Sequence, residues 1–407
     1  MTRRILTWSI LALFAVLALT TAVLTHSRSV RPPWPVFLSA SPAQGQVVFQ
    51  TKGCSHCHSI NGVGGKLGPD LGRNSPAHTS VPQLVTAMWN HAPQMWSRMR
   101  VEKVGYPTLD YQDAAELLTY LYMARFVDGP GDARHGRELF TEQSCDRCHT
   151  LHGGRRVGPD LAADSTPISV ASWIQTMWNH SWAMQDQMER AGVAWPVFQE
   201  NELRDLLTYV RVARGVAAAE DSTMGDPERG WAVFQGKGCS ACHSIREDDG
   251  SDAPNLGPRG QAPQTLVQFG SAMLNHSPQM RRVMEQRGIH QPAFEGGEMA
   301  DVAAFLYSLS YVEPTGSPHV GKSVFAWRGC SRCHGDEAQG TSNAPGLRGR
   351  GQAFTAVRMA TSLWGHGERM YHRSQQIGIG WPTLADADVG DILSFLNAPL
   401  EPSMAHR

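Results

Sequence analysis

Every cysteine in this 407-residue chain stands in one five-residue pattern, and the pattern occurs four times. The copies read Cys54-Ser-His-Cys57-His58, Cys145-Asp-Arg-Cys148-His149, Cys239-Ser-Ala-Cys242-His243 and Cys330-Ser-Arg-Cys333-His334. Two thiols three residues apart, followed at once by histidine, form the attachment signature of c-type haem: two thioethers tether the ring and the imidazole reaches the iron. One copy alone would also suit half a zinc site or a redox dithiol. Four copies that consume all eight cysteines, each offering the same three groups, leave those readings little room. Four covalently attached haem c groups are therefore expected, with His58, His149, His243 and His334 as iron ligands.

The first cysteines are 91, 94 and 91 residues apart, and other features keep step with them, so the chain reads as a tandem array. A glycine and a phenylalanine four residues apart precede each motif: Gly45 and Phe49, Gly136 and Phe140, Gly230 and Phe234, Gly321 and Phe325. That spacing puts both on one face of a short helix, the glycine permitting close backbone approach. Ten or eleven residues after each haem histidine stands a proline (Pro69, Pro159, Pro254, Pro345), with leucine two positions later. A carbonyl in such a loop suits the Nδ1–H of the histidine. Each repeat closes on an amphipathic helix, predicted at Asp113–Arg125, Glu202–Arg214, Glu298–Ser310 and Asp388–Asn397, with Tyr120, Tyr209, Phe305 and Phe395 packing back on the Gly/Phe helix. Strand signals are weak throughout, so the expected class is all-α. Gly/Pro-rich breaks divide the array into repeats at 41–128, 129–218, 219–316 and 317–407.

In that order of features, Gly/Phe helix, C-x-x-C-H, Pro-Leu loop and aromatic-bearing final helix, each repeat resembles a class I cytochrome c domain. The resemblance implies an all-helical shell around haem, electron transfer, and usually methionine as the second axial ligand. The family's common Met-Pro pair is missing, however: Tyr106-Pro107, Trp195-Pro196, Gln291-Pro292 and Trp381-Pro382 stand there. Upstream lies another repeated segment, Met88-Trp-Asn-His-Ala-Pro-Gln-Met95 in repeat one, which recurs with His180 and Met184, His276 and Met280, and His366 and Met370. The residues alone leave two choices open, the histidines or the methionines four positions on. The resemblance favours Met95, Met184, Met280 and Met370, with His91, His180, His276 and His366 beside them as haem-edge partners near Trp89, Trp178 and Trp364. A further methionine (Met99, Met188, Met284) is replaced by Ser374 in repeat four and so is not a general ligand.

Arg3 and Arg4 precede an uncharged run from Ile5 to Thr25, long enough to span a bilayer. With no small-residue cleavage site directly after it, residues 1–27 read as an uncleaved membrane helix, followed by a Pro-rich spacer at 28–40. A cleaved signal is the alternative. Either exports the chain, placing it on the periplasmic side of a bacterial inner membrane.

The net charge of −1 argues against nucleic acid as a partner. Repeat three is the most acidic, 13 acids against 7 bases, including Glu247, Asp248, Asp249 and Asp252, which reads as a surface for a basic redox partner or as a solvated loop. The expected function is a membrane-tethered tetrahaem electron carrier, serving a quinol-oxidising complex or dehydrogenase on one side and an oxidase or reductase on the other. The alternative is an oxidoreductase with one haem open to small molecules, most reasonably in repeat four, where Gly365, Glu368 and Ser374 depart from the pattern.

Overall fold

The computed structural model describes residues 40–73, 80–154, 156–163, 168–199, 201–216, 224–245, 253–257, 265–309, 316–349 and 353–399. The predicted membrane helix and all but the last residue of the predicted spacer lie outside these, as do Glu247, Asp248, Asp249 and Asp252. Among the described residues no helix is long and apolar enough to cross a membrane.

Helix dominates, as expected. Three longer helices recur per repeat: α1 (Pro42–Thr51), α2 (Val81–Glu102) and α3 (Tyr111–Met123); α4 (Ala133–Glu142), α5 (Val170–Ala191) and α6 (Glu202–Ala213); α7 (Pro227–Gly236), α8 (Leu266–Gln286) and α9 (Glu298–Ser308); α10 (Pro318–Trp327), α11 (Ala356–Gln376) and α12 (Asp388–Asn397). Among the described residues the only sheet is a hairpin of two-residue strands, Ser59–Ile60 with Val63–Gly64. The first helices start on side-chain caps: Ser41, Asp132, Asp226 and Ser317 each accept a backbone N–H of the first turn. α3 begins two residues before the predicted Asp113, because Asp110 and Asp113 form a reciprocal capping box.

The first and last helices of each repeat cross at the glycine. A Cβ on Gly45, Gly136, Gly230 or Gly321 would stand 2.0, 2.0, 1.9 or 1.9 Å from the carbonyl oxygen of Glu116, Asp205, Asp301 or Asp391. Only glycine allows that approach, since such a contact excludes any side chain. One turn on, the paired rings meet: Phe49–Tyr120 at 5.7 Å, Phe140–Tyr209 at 5.8 Å, Phe234–Phe305 at 5.4 Å and Phe325–Phe395 at 5.5 Å. In three repeats the same acid also accepts the N–H of the N-cap residue: Asp205 from Asp132, Asp301 from Asp226 and Asp391 from Ser317. Each crossing is thus anchored by an aromatic pair and, in those three, by a carboxylate that is buried at Asp205 and Asp301 and half-buried at Asp391.

The middle helices pair across repeats: α2 packs on α11, and α5 on α8. Repeat one therefore joins repeat four, and repeat two joins repeat three. A smaller contact links repeats one and three, where Phe126 and Tyr307 stack at 4.2 Å and Tyr122 Oη donates to the Tyr307 carbonyl.

Candidate haem-binding sites

Each C-x-x-C-H sits on a single turn after the first helix, entered in all four repeats through a residue of positive φ: Gly53, Ser144, Gly238 and Gly329. None of the eight cysteines is in a disulfide. Burial pushes the first thiol of each pair, Cys54, Cys145, Cys239 and Cys330, up to about 11. A working redox dithiol or thiolate site needs the opposite shift, so this environment suits neutral sulfur, such as a thioether. Among the described residues no cluster of three or more His, Cys, Asp or Glu side chains is placed to hold a metal ion by itself.

The four C-x-x-C-H histidines are oriented alike. Nδ1 of His58, His149, His243 and His334 lies 2.9, 3.0, 3.0 and 2.9 Å from the carbonyl oxygen of Pro69, Pro159, Pro254 and Pro345. The carbonyl can only accept, so Nδ1 carries the proton and Nε2 is left free for iron. The loop presses on the ring: a Cβ at Gly68 or Gly158 would lie 2.6 Å from Cε1 of His58 or His149. In repeat one Asp70 ties the loop down, accepting from Ser59 Oγ and the Asn61, Gly62 and Gly72 amides. These hydrogen bonds outweigh its partial desolvation and hold its carboxyl below the usual range.

The middle helix brings the second histidine over this site. The His91 ring centre lies 6.4 Å from that of His58, with the planes at 64°. His276 stands at 6.4 Å and 63° from His243. Burial first, and then the neighbouring His58 or His243, holds each below the ordinary histidine value. His366 is shifted the same way by burial, Arg369 and His334. His180 Nδ1 lies 2.8 Å from the Thr176 carbonyl oxygen. The expected methionine ligands Met95, Met184, Met280 and Met370 lie one turn on, all half-buried. Met95 packs with Met88, Trp89 and Trp364 around Ala92, Trp96 and Leu363, at the junction of repeats one and four.

Paired free thiols and an oriented imidazole with Nε2 unoccupied, faced in repeats one and three by a second imidazole, together fit covalent haem. The family model for cytochrome c matches residues 42–123 and 227–310. Those two regions, in repeats one and three, are thus similar to cytochrome c domains, a family that binds covalent haem c and transfers electrons. No curated protein and no solved structure matches the chain.

The repeats carry a second set of working residues. The indoles of Trp89 and Trp178 donate across repeats, to the Pro382 carbonyl at 2.9 Å and the Pro292 carbonyl at 2.7 Å. The next residue exchanges two bonds with the same loop: Asn90 with Leu384, Asn179 with Phe294, and Asn275 with Phe198, donating to the carbonyl and accepting the N–H. Trp89 and His91 lie about 200° apart around the helix, so one face grips the partner repeat and the other meets the haem site.

The residue before the loop proline, where a Met-Pro ligand was sought, completes the grip. Trp381 donates to the Trp89 carbonyl, Trp195 to the Leu274 carbonyl and Gln291 to the Trp178 carbonyl. Two of these acceptors are free for a physical reason. Pro93 and Pro278 sit inside α2 and α8, and a proline cannot bond the carbonyl four residues back, which is Trp89 and Leu274. The signal was present in the sequence: repeats one and three carry the helical proline, and repeats four and two carry the tryptophan that uses it.

Proposed function

We propose that the protein is a tetrahaem c-type cytochrome, exported and held at the periplasmic face of a bacterial inner membrane by residues 1–27, that passes single electrons between respiratory partners. When bound, haem supplies reversible one-electron iron chemistry. The chain supplies orientation and environment. The proline carbonyls hold the proton on Nδ1 of His58, His149, His243 and His334, fixing the tautomer and strengthening Nε2 as a donor. The Trp-Asn grips hold α2, α5 and α8 at fixed rotation, and with them the residues that face each haem site. Quinol-oxidising complexes or dehydrogenases are the fitting donors, and oxidases or reductases the fitting acceptors.

The observation that supports a count of four is the recurrence of the histidine-to-proline hydrogen bond behind every C-x-x-C-H. A pyridine haemochrome assay with intact-protein mass tests it. Four haems per chain are expected, with one lost in each Cys-pair-to-Ser variant; fewer than four in the wild type sinks the tetrahaem reading. Cell fractionation tests the tether. The full chain should sediment with inner membrane, and a version with residues 1–27 replaced by a cleavable signal should be released into the periplasm. Full-length protein in the soluble fraction would remove the anchor.

A further inference from the structure

We propose that His91 and His276 are the second axial ligands of the irons held by His58 and His243, so that repeats one and three carry bis-histidine haem. The inference rests on the haem reading above and refines it against the methionine expectation. Its first support is the separation. Two metal–imidazole bonds of about 2 Å each, with a ring radius at either end, span the 6.4 Å between ring centres. An ordinary ring pair also falls in that range. What distinguishes these two pairs is their recurrence at one distance and within one degree of tilt, in repeats 185 residues apart between His58 and His243.

The second support is the availability of donor atoms. Pro69 and Pro254 occupy Nδ1 of His58 and His243, so the metal-binding Nε2 is the nitrogen each ring has left. The third is the rigidity of the helix that carries the facing ring. Asn90 and Asn275 immediately precede His91 and His276, and each is pinned by two hydrogen bonds of 2.8 Å to the partner repeat. Substituting Met95 for His91 at the iron requires a slide of about one helical turn, 5.4 Å, which breaks both bonds. Met95 is meanwhile engaged against the apolar junction with repeat four.

The chemical consequence is a lower potential for these two haems than methionine ligation would give, because thioether sulfur raises the potential. The test uses the full-length oxidised protein, read by low-temperature EPR and near-infrared magnetic circular dichroism. Met95→Leu and Met280→Leu should leave both spectra unchanged. His91→Ala and His276→Ala should each convert one haem of the four to high spin. His91→Met, which keeps a ligand and so guards against a merely unfolded variant, should add one sulfur-to-iron band and raise one midpoint potential. A high-spin haem or a lost sulfur-to-iron band in Met95→Leu or Met280→Leu, or unchanged low-spin spectra in both alanine variants, overturns the assignment. Haem stoichiometry is measured separately on each sample. Loss of haem from the wild type strikes the tetrahaem reading, whereas full haem with the wrong spectra strikes the ligands alone.

Discussion

The two cross-repeat junctions share one plan and fill it with different chemistry. Between repeats two and three the grip is double: Asn179 holds Phe294, Asn275 holds Phe198, and both Trp195 and Gln291 donate to helix carbonyls. Its centre is polar, with Gln185 Nε2 donating to Ser277 Oγ and Ser277 bonded to Ser181, all buried. Between repeats one and four Gly365 replaces one asparagine, so a single Asn grip remains, at Asn90. There the centre is aromatic: Trp89 stacks on Trp381 at 4.6 Å, Trp96 meets Trp381 edge-on at 5.4 Å, and Tyr371 closes the cluster. Gly367 makes room for it, since a Cβ there would lie 2.9 Å from the Trp96 ring. A lost pair of directional hydrogen bonds is thus offset by buried ring area, which is less demanding of geometry but leaves repeat four's helix less firmly indexed.

The most disruptive way to separate the junctions is Trp96→Ala. The side chain is 2% exposed, so its removal should cost about 3–5 kcal/mol and weaken the one–four junction selectively. Thermal unfolding by circular dichroism should show an early phase that Gln185→Ala, in the other junction, does not. Next comes Asn275→Ala, which leaves the Phe198 N–H and carbonyl without partners and should cost about 1–3 kcal/mol, read from the denaturant midpoint. The reverse change sharpens the comparison. Nothing stands within 4 Å of a Cβ at Gly365. Gly365→Ala should stabilise by about 0.5–1 kcal/mol through helix propensity alone. Gly365→Asn should exceed an exposed-site Asn only if it rebuilds the missing grip on the loop of repeat one.

The smallest effect concerns pH. His135 in repeat two is held above its ordinary value, chiefly by its hydrogen bond to Asp205, 2.9 Å away. A raised folded-state value means that the stabilisation is fully present below about 6.5. It is lost as pH rises through the raised value. The ring is 45% exposed, so solvent screens the pair and the gain is slight. The melting difference between wild type and His135→Gln should shrink from pH 5 to pH 8; a difference that grows would refute the assignment.

Much of each site is legible in the residues. The cysteine pairs and their histidines are adjacent in sequence, and the proline loops lie ten or eleven residues on, so short-range spacing carries them. The Gly/Phe crossing is legible because only glycine tolerates that backbone approach, and it is found at all four crossings. The Trp-Asn grips are not legible in the same way. A helical stripe at Met88, His91 and Met95 has the same period whether it faces iron or apolar core, and Trp89 beside it says nothing of which repeat it will meet.

By itself, then, the amino-acid order determined the C-x-x-C-H pattern, its fourfold recurrence and the all-helical class, because each rests on contacts or periodicities within one repeat. Tertiary structure alone decided that repeat one meets four and repeat two meets three, and that Trp195, Gln291 and Trp381, each before a loop proline, serve a junction. Those bonds join residues 77 to 294 positions apart. Which helix face is left for the second histidine follows from which face the partner repeat takes, and that is settled only when both are folded.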